Sequence, residues 1–169
     1  MRHALPTVLT LVLAAALSGC GDTVTPEEQA IKDERDIAMV ERANASAPPV
    51  LEVSPEPIGY PELERYDLMG TACNYAPGTS FGTRVVAREV DAYVKINGKM
   101  LRLAADPGAR ELPAGSRSLY SGKAYSLQLA ITGHGKPASN GTDYEGTVIL
   151  RDAWGREVYE GTGLARCGG

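Results

Sequence analysis

Few side chains in this 169-residue sequence are of the kinds that do chemistry, and their spacing suits it poorly. Beyond residue 3 there is one histidine, His134, held between glycines in Gly133-His134-Gly135-Lys136. A lone imidazole in such a stretch reads most simply as an exposed loop residue. Asp143 and Glu145 stand two apart, so a strand would put both carboxylates on one face. Paired carboxylates can exchange protons as acid and base, but an exposed pair is simply solvated. Stretch 133–141 lacks the Gly-Lys-Ser/Thr ending of a phosphate loop, and no His-Glu-x-x-His, EF-hand or clustered His/Cys pattern occurs. No catalytic, cofactor-binding or metal-binding residue is assigned, and a non-enzymatic chain is expected. Recognition has more to work with, because Tyr120, Tyr125, Tyr144, Trp154 and Tyr159 cluster late in the sequence. Trp154 falls at a predicted hairpin tip, where an aromatic either anchors a partner or folds over the open end of a core.

These residues need a setting, and the N-terminus supplies one. An apolar run from Val8 to Leu17, after Arg2 and His3, is far short of the ~20 residues that cross a bilayer as a helix. It fits the apolar region of a secretory signal peptide. The run ends in Leu17-Ser18-Gly19-Cys20, which resembles the lipobox of bacterial lipoproteins at all four positions. The resemblance implies a signal peptide over 1–19, cleavage before Cys20, a diacylglyceryl group on its sulfur and an acyl group on its amine. Several acyl chains on one residue make a durable anchor, since burial is worth ~0.8 kcal/mol per methylene. Gly21, rather than aspartate, follows the cysteine. By analogy with enterobacterial lipoproteins this favours the outer membrane, with the domain facing the periplasm.

With Cys20 carrying lipid, Cys73 and Cys167 remain as a pair. In an oxidising compartment such a pair reads as a disulfide. Redox or metal chemistry is the alternative, and the absence of a Cys-x-x-Cys weighs against it. Charge divides unevenly along the chain. Residues 21–60 carry nine acidic against three basic side chains (net −6), and residues 61–169 carry twelve against thirteen (net +1). A near-neutral domain has no electrostatic footprint for nucleic acid.

Thr25-Pro26-Glu27-Glu28 predicts a capped helix start, and residues 26–44 are good helix formers without a continuous apolar stripe. Five prolines between 47 and 61 (Pro48, Pro49, Pro55, Pro57, Pro61) predict an extended linker at ~3.1 Å per residue, with a docked strand at Val50–Val53 as the other reading. Residues 20–60 are therefore expected to form a lipidated tether, a helix and Pro-rich linker that lift a domain off the lipid surface. Residues 61–169 read as all-β. Strands are expected at 66–73, 84–96, 99–104, 118–120, 124–132, 144–151 and 157–166, with loops at 74–82 and 133–142. Val90, Ala92, Val94 and Ile96 alternate with polar or aromatic neighbours, and Asn97-Gly98 is a strong hairpin signal. No helical periodicity is seen past residue 61. The expectation is a small antiparallel β-sandwich or barrel; the pattern does not choose between them.

One stretch inside this domain bears on function. Ser121-Gly122-Lys123-Ala124-Tyr125, following the Asn-Gly hairpin, is similar to part of the membrane-bound C-type lysozyme-inhibitor lipoproteins. Those are small β-barrels with a terminal cysteine, an inhibitory Ser-Gly-x-Arg/Lys-Tyr loop and a later Trp-x-Lys-Gly motif. Ser121 and Tyr125 match, Lys123 is one place out of step, and the second motif is missing. The resemblance implies an inhibitory loop over 120–125. The main expectation is broader: a membrane-anchored lipoprotein whose β domain binds an envelope protein or glycan through residues such as Tyr120, Ser121, Lys123, Tyr125 and Trp154, or has a structural role.

Overall fold

The computed structural model describes residues 25–45, 47–80 and 82–169, so the expected signal peptide and lipid-bearing Cys20 lie outside the described residues. Helix α1 (Pro26–Ala45) starts as its sequence predicts. Thr25 Oγ1 accepts from the Glu28 N–H at 3.2 Å, and Glu28 Oε2 accepts from the Thr25 N–H at 3.0 Å. This reciprocal cap satisfies donors that the first turn leaves over. The helix buries no residue and belongs to a unit of its own.

The second compact unit is Ala47–Gly169. Its frame is a closed barrel of eight antiparallel strands, each beside its sequence neighbour: β1 (Ala72–Pro77), β2 (Val85–Ala87), β3 (Asp91–Ile96), β4 (Lys99–Ala105), β5 (Leu119–Ser121), β6 (Tyr125–Ala138), β7 (Gly141–Asp152) and β8 (Glu157–Gly168). Closure is made by β8 pairing back on β1, with Cys73 opposite Cys167. Those two cysteines are joined by a disulfide across the seam. Closing the sheet removes the open edges a flat sheet would expose. At Asn97-Gly98 both residues take positive φ (49° and 71°), the conformation a two-residue turn needs to match strand twist.

Alternate side chains fill the interior. Tyr75, Val85, Val94, Leu103, Tyr120, Leu127, Leu129, Val148 and Leu150 are fully or almost fully buried there. The start of β1 and the end of β8 mark one mouth. There the β4–β5 connection folds inward with Leu112 in the core and a 3₁₀ turn at Pro113–Gly115. Buried Ser116 donates its hydroxyl to Pro113 O at 2.9 Å, with Cys73 Sγ 3.2 Å away.

The Pro-rich segment closes the opposite mouth. The sequence reads it as free reach, with a docked strand at Val50–Val53 as the alternative, and it is laid on the barrel from Pro48 to Ile58. Val53 N–H donates to Val158 O, Glu56 N–H to Lys95 O, and Ile58 N–H to Thr83 O, at 2.8–3.0 Å. Arg84 donates to Pro55 O at 2.6 Å and Arg156 to Pro48 O at 2.5 Å. Proline offers a carbonyl but no N–H, so a Pro-rich strap can lie across a surface whose arginines donate to it without stranding donors of its own.

Strap and barrel share a second, outer core. Ile58, Leu68, Ala72, Val86 and Tyr93 are buried together, with Leu63 and Met100 against them. The strap runs into α2 (Tyr60–Arg65), a six-residue helix that the sequence did not suggest. A turn and a half is too short to show periodicity, and Pro61 sits in its first turn, where proline fits a helix. Glu62 accepts from the Gly59 N–H at 3.0 Å and pairs with Lys95 at 2.6 Å, fixing α2 to β3. That hydrogen bond holds the Glu62 carboxyl below and the Lys95 ammonium above their usual ranges.

Two further expectations shift. The first strand is Ala72–Pro77, not 66–73, because Leu68 packs outside the barrel and the 74–82 loop starts with strand. Stretch 133–142 is not a loop. β6 and β7 run through it to a turn at Ser139-Asn140, and its glycines mark a bulge between Thr132 and Lys136.

Candidate binding surface

The turns that the sequence marks for recognition come together at the strap-covered mouth. The β7–β8 tip is built around Asp152. One carboxylate oxygen accepts the N–H groups of Trp154 and Arg156, both at 2.9 Å, and the other takes the Arg156 guanidinium at 2.6–2.7 Å. Burial pushes the Asp152 carboxyl up, but these donors outweigh it and hold the group below its usual range. Gly155 turns the tip with φ 77°. The Arg156 guanidinium lies 5.3 Å from the Trp154 ring centroid. So held, Trp154 points outward and stays 54% exposed. It does not fold over the core.

Around Trp154 a shallow hollow of about 250 Å³ is lined by Pro48, Pro49 and Leu51 of the strap, by Ala124 of the β5–β6 turn and by Tyr125, the first residue of β6. Leu51 is 75% exposed and Val50 beside it 48%. The sequence reads this stretch as a linker, or as a docked strand at Val50–Val53, and neither reading places Pro48, Pro49 or Leu51 at a binding surface. The signal available was the adjacent apolar pair Val50-Leu51 in a Pro-rich stretch. Ser121, Gly122 and Lys123 are exposed in the adjoining turn, which the Gly122 N–H closes by donating to Tyr125 O at 2.9 Å. Tyr125 is half-buried and rests on the core.

Tyr120 does not belong to this surface. It is fully buried, its hydroxyl accepting from Arg117 N–H at 2.6 Å and donating to Arg88 O at 2.7 Å. Burial pushes its phenol pKa up. Its role is to tie the β4–β5 connection to the β2–β3 turn. Tyr120→Phe is expected to lose about 1–3 kcal/mol of stability, because the part-buried Arg117 N–H and Arg88 O both lose their partner, while Ser121 and Lys123 keep their exposure. Urea melts read the loss; an unchanged midpoint would contradict this role.

The second depression lies on the outer face of β6, β7 and β8, an open groove of about 720 Å³ whose lining includes Thr132, His134, Lys136, Asp143, Glu145 and Thr162. The bulge brings His134 and the two carboxylates to one groove, a juxtaposition the sequence only half suggested. At Gly135 a Cβ would stand 2.3 Å from Thr142 Cγ2 and 2.7 Å from Tyr144 Cε1. Only glycine lets the bulge close onto that ring. Beyond Leu129 the described residues put no strand on the free side of β6, and Lys136, Pro137 and the bulge blunt this edge.

Asp143 is engaged by Arg166, with two hydrogen bonds at 2.6 and 2.8 Å. That hydrogen bonding holds its carboxyl below the usual range. A depressed carboxyl adds stability that is complete above its unfolded value and fades as pH falls through its folded one. Asp143→Asn is therefore expected to be less stable than wild type at pH 7 by about 0.5–1 kcal/mol, given the pair's exposure. The gap should close below about pH 4. Urea midpoints measured from pH 7 down to acid follow this, and a gap that stayed constant would refute it.

The chain matches no protein-family model, no curated protein and no solved structure.

Proposed function

We propose that this chain is a membrane-anchored lipoprotein of the bacterial envelope, held by lipid on Cys20 at the outer membrane and facing the periplasm, with a non-enzymatic binding role. The observation that carries the binding role is the Trp154 mouth. The hydrogen bonds on Asp152 order the backbone of the hairpin tip, and the large aromatic side chain it carries is exposed beside exposed Leu51. Apolar surface gathered in this way on a folded domain marks an interaction site, and a turn whose backbone is already ordered loses less entropy when it binds. The lipid reading rests on the lipobox resemblance. Mass spectrometry of the native mature N-terminus tests it, with acylated Cys20 expected and a free amine and thiol overturning it. A photo-crosslinking residue at position 154, used in cells, tests the surface. Adducts to an envelope component are expected, and their absence overturns the reading.

A second reading, lysozyme inhibition, draws support from the exposed Ser121-Gly122-Lys123 turn standing beside the Trp154 hairpin on a small disulfide-closed barrel. Unchanged lysozyme activity at large molar excess of the purified chain overturns it.

A further inference from the structure

We infer that the Trp154 mouth is a second membrane contact: a foot with which the barrel rests on the phospholipid interface of the bilayer carrying its anchor. The inference deepens the binding role above and rests on the lipid-anchor reading.

The first argument is covalent. The barrel unit begins at Ala47, and Pro48 is held by Arg156, two residues from Trp154. The polypeptide thus leaves the barrel toward its N-terminus from this mouth. An anchor upstream pulls on this end of the barrel. The docked strap also adds no reach: residues 47–58, as a free extended linker, would have contributed about 40 Å at 3.1 Å per residue. A shorter tether raises the local concentration of membrane at this mouth, so weak contacts count.

The second argument is chemical. Indole prefers the boundary between headgroups and acyl chains, where its ring is apolar and its N–H stays wet. Trp154 shares its hollow with exposed Leu51 and with Pro48, Pro49 and Ala124, and exposed Val50 precedes Leu51 in the strap. The cation nearest the ring, Arg156, is paired with Asp152, so approaching the bilayer strands no charge there. Glu52, Glu157 and Glu160 border a neighbouring depression rather than the ring. They keep the rim wet and the contact shallow.

Trp154 is the single tryptophan, so its fluorescence reports this surface alone. The acylated mature chain is reconstituted into vesicles of equal parts phosphatidylethanolamine and phosphatidylglycerol, with or without bromine near the top of the acyl chains. Blue-shifted emission and bromine quenching are expected. A Val50→Ser, Leu51→Ser variant should reduce both, and in the unacylated chain should weaken partitioning at least about tenfold, with the circular dichroism of the barrel unchanged. Solvent-like, unquenched emission from acylated, vesicle-bound protein overturns the inference and leaves the anchor standing. If mass spectrometry finds no acyl group, the anchor reading fails. Titrating the unacylated chain with the same vesicles then decides: a shift lost in the variant supports the foot, and no shift overturns it. A shift seen in native envelope fragments but not in protein-free vesicles assigns the surface to a protein and also overturns it.

Discussion

Replacing Cys73 and Cys167 together by serine is expected to lower the unfolding free energy by about 4–5 kcal/mol, the largest single effect in the molecule. The bridge joins residues 94 apart, and cross-linking a loop of that size restricts the unfolded chain by roughly 4.7 kcal/mol on a chain-entropy estimate. Its position adds to this. The two cysteines face each other across the seam between β1 and β8, the pairing that turns a row of strands into a closed barrel. Pro113 O and Ser116 Oγ of the inward-folded connection both lie 3.2 Å from Cys73 Sγ. Without the bridge, the seam must be held by six residue pairs and their packing. Urea unfolding of the variant, and of wild type with and without reductant, reads the loss. A midpoint that moves by less than about 1 kcal/mol equivalent would show that the bridge adds little beyond the seam's own pairing.

Removing both arginines from Asp91 should come next. Asp91 points outward from β3, yet its side chain is only 1% exposed, and it takes the Nε–H of Arg88 and of Arg102, each at 2.8 Å. Arg88→Met with Arg102→Met leaves that carboxylate under cover with neither cation, and about 3–5 kcal/mol should be lost. Arg102 is well exposed, so Arg102→Met alone should cost roughly 1–2 kcal/mol while Arg88 still pairs. Adding Asp91→Leu to the double variant should restore most of the loss, because a buried charge group replaced entirely by apolar side chains is often neutral. Chemical denaturation of the three variants checks this ordering. A double variant no weaker than the single one would contradict it.

The hairpin at Asn97-Gly98, the alternation through Leu127, Leu129 and Ile131, and the β7–β8 pairing could all be read from local pattern, since each concerns residues close in sequence. The same local reading went astray at Gly133–Thr142. There, composition resembled a loop, while β7 and β8 held the chain in strand across a bulge. It went astray again at Tyr120. A tyrosine beside an exposed turn looks like a contact residue until the β2–β3 turn is seen to supply its hydrogen-bond acceptor from 32 positions away. The cysteines were paired in the sequence reading by counting, but that their bridge locks the seam depends on register.

What the sequence determined by itself, then, is an all-β domain with a capped helix before it and one pair of cysteines to join. Strand alternation, turn chemistry and capping are short-range properties and need no partner to be legible. Tertiary structure decided that the sheet closes into a barrel, that the Pro-rich segment is a strap rather than a spacer, and that Trp154 shares a mouth with Pro48, Pro49 and Leu51. Each of these depends on which distant backbone groups satisfy one another's hydrogen bonds and which apolar faces meet, a choice made by long-range packing rather than by any residue's neighbours in the chain.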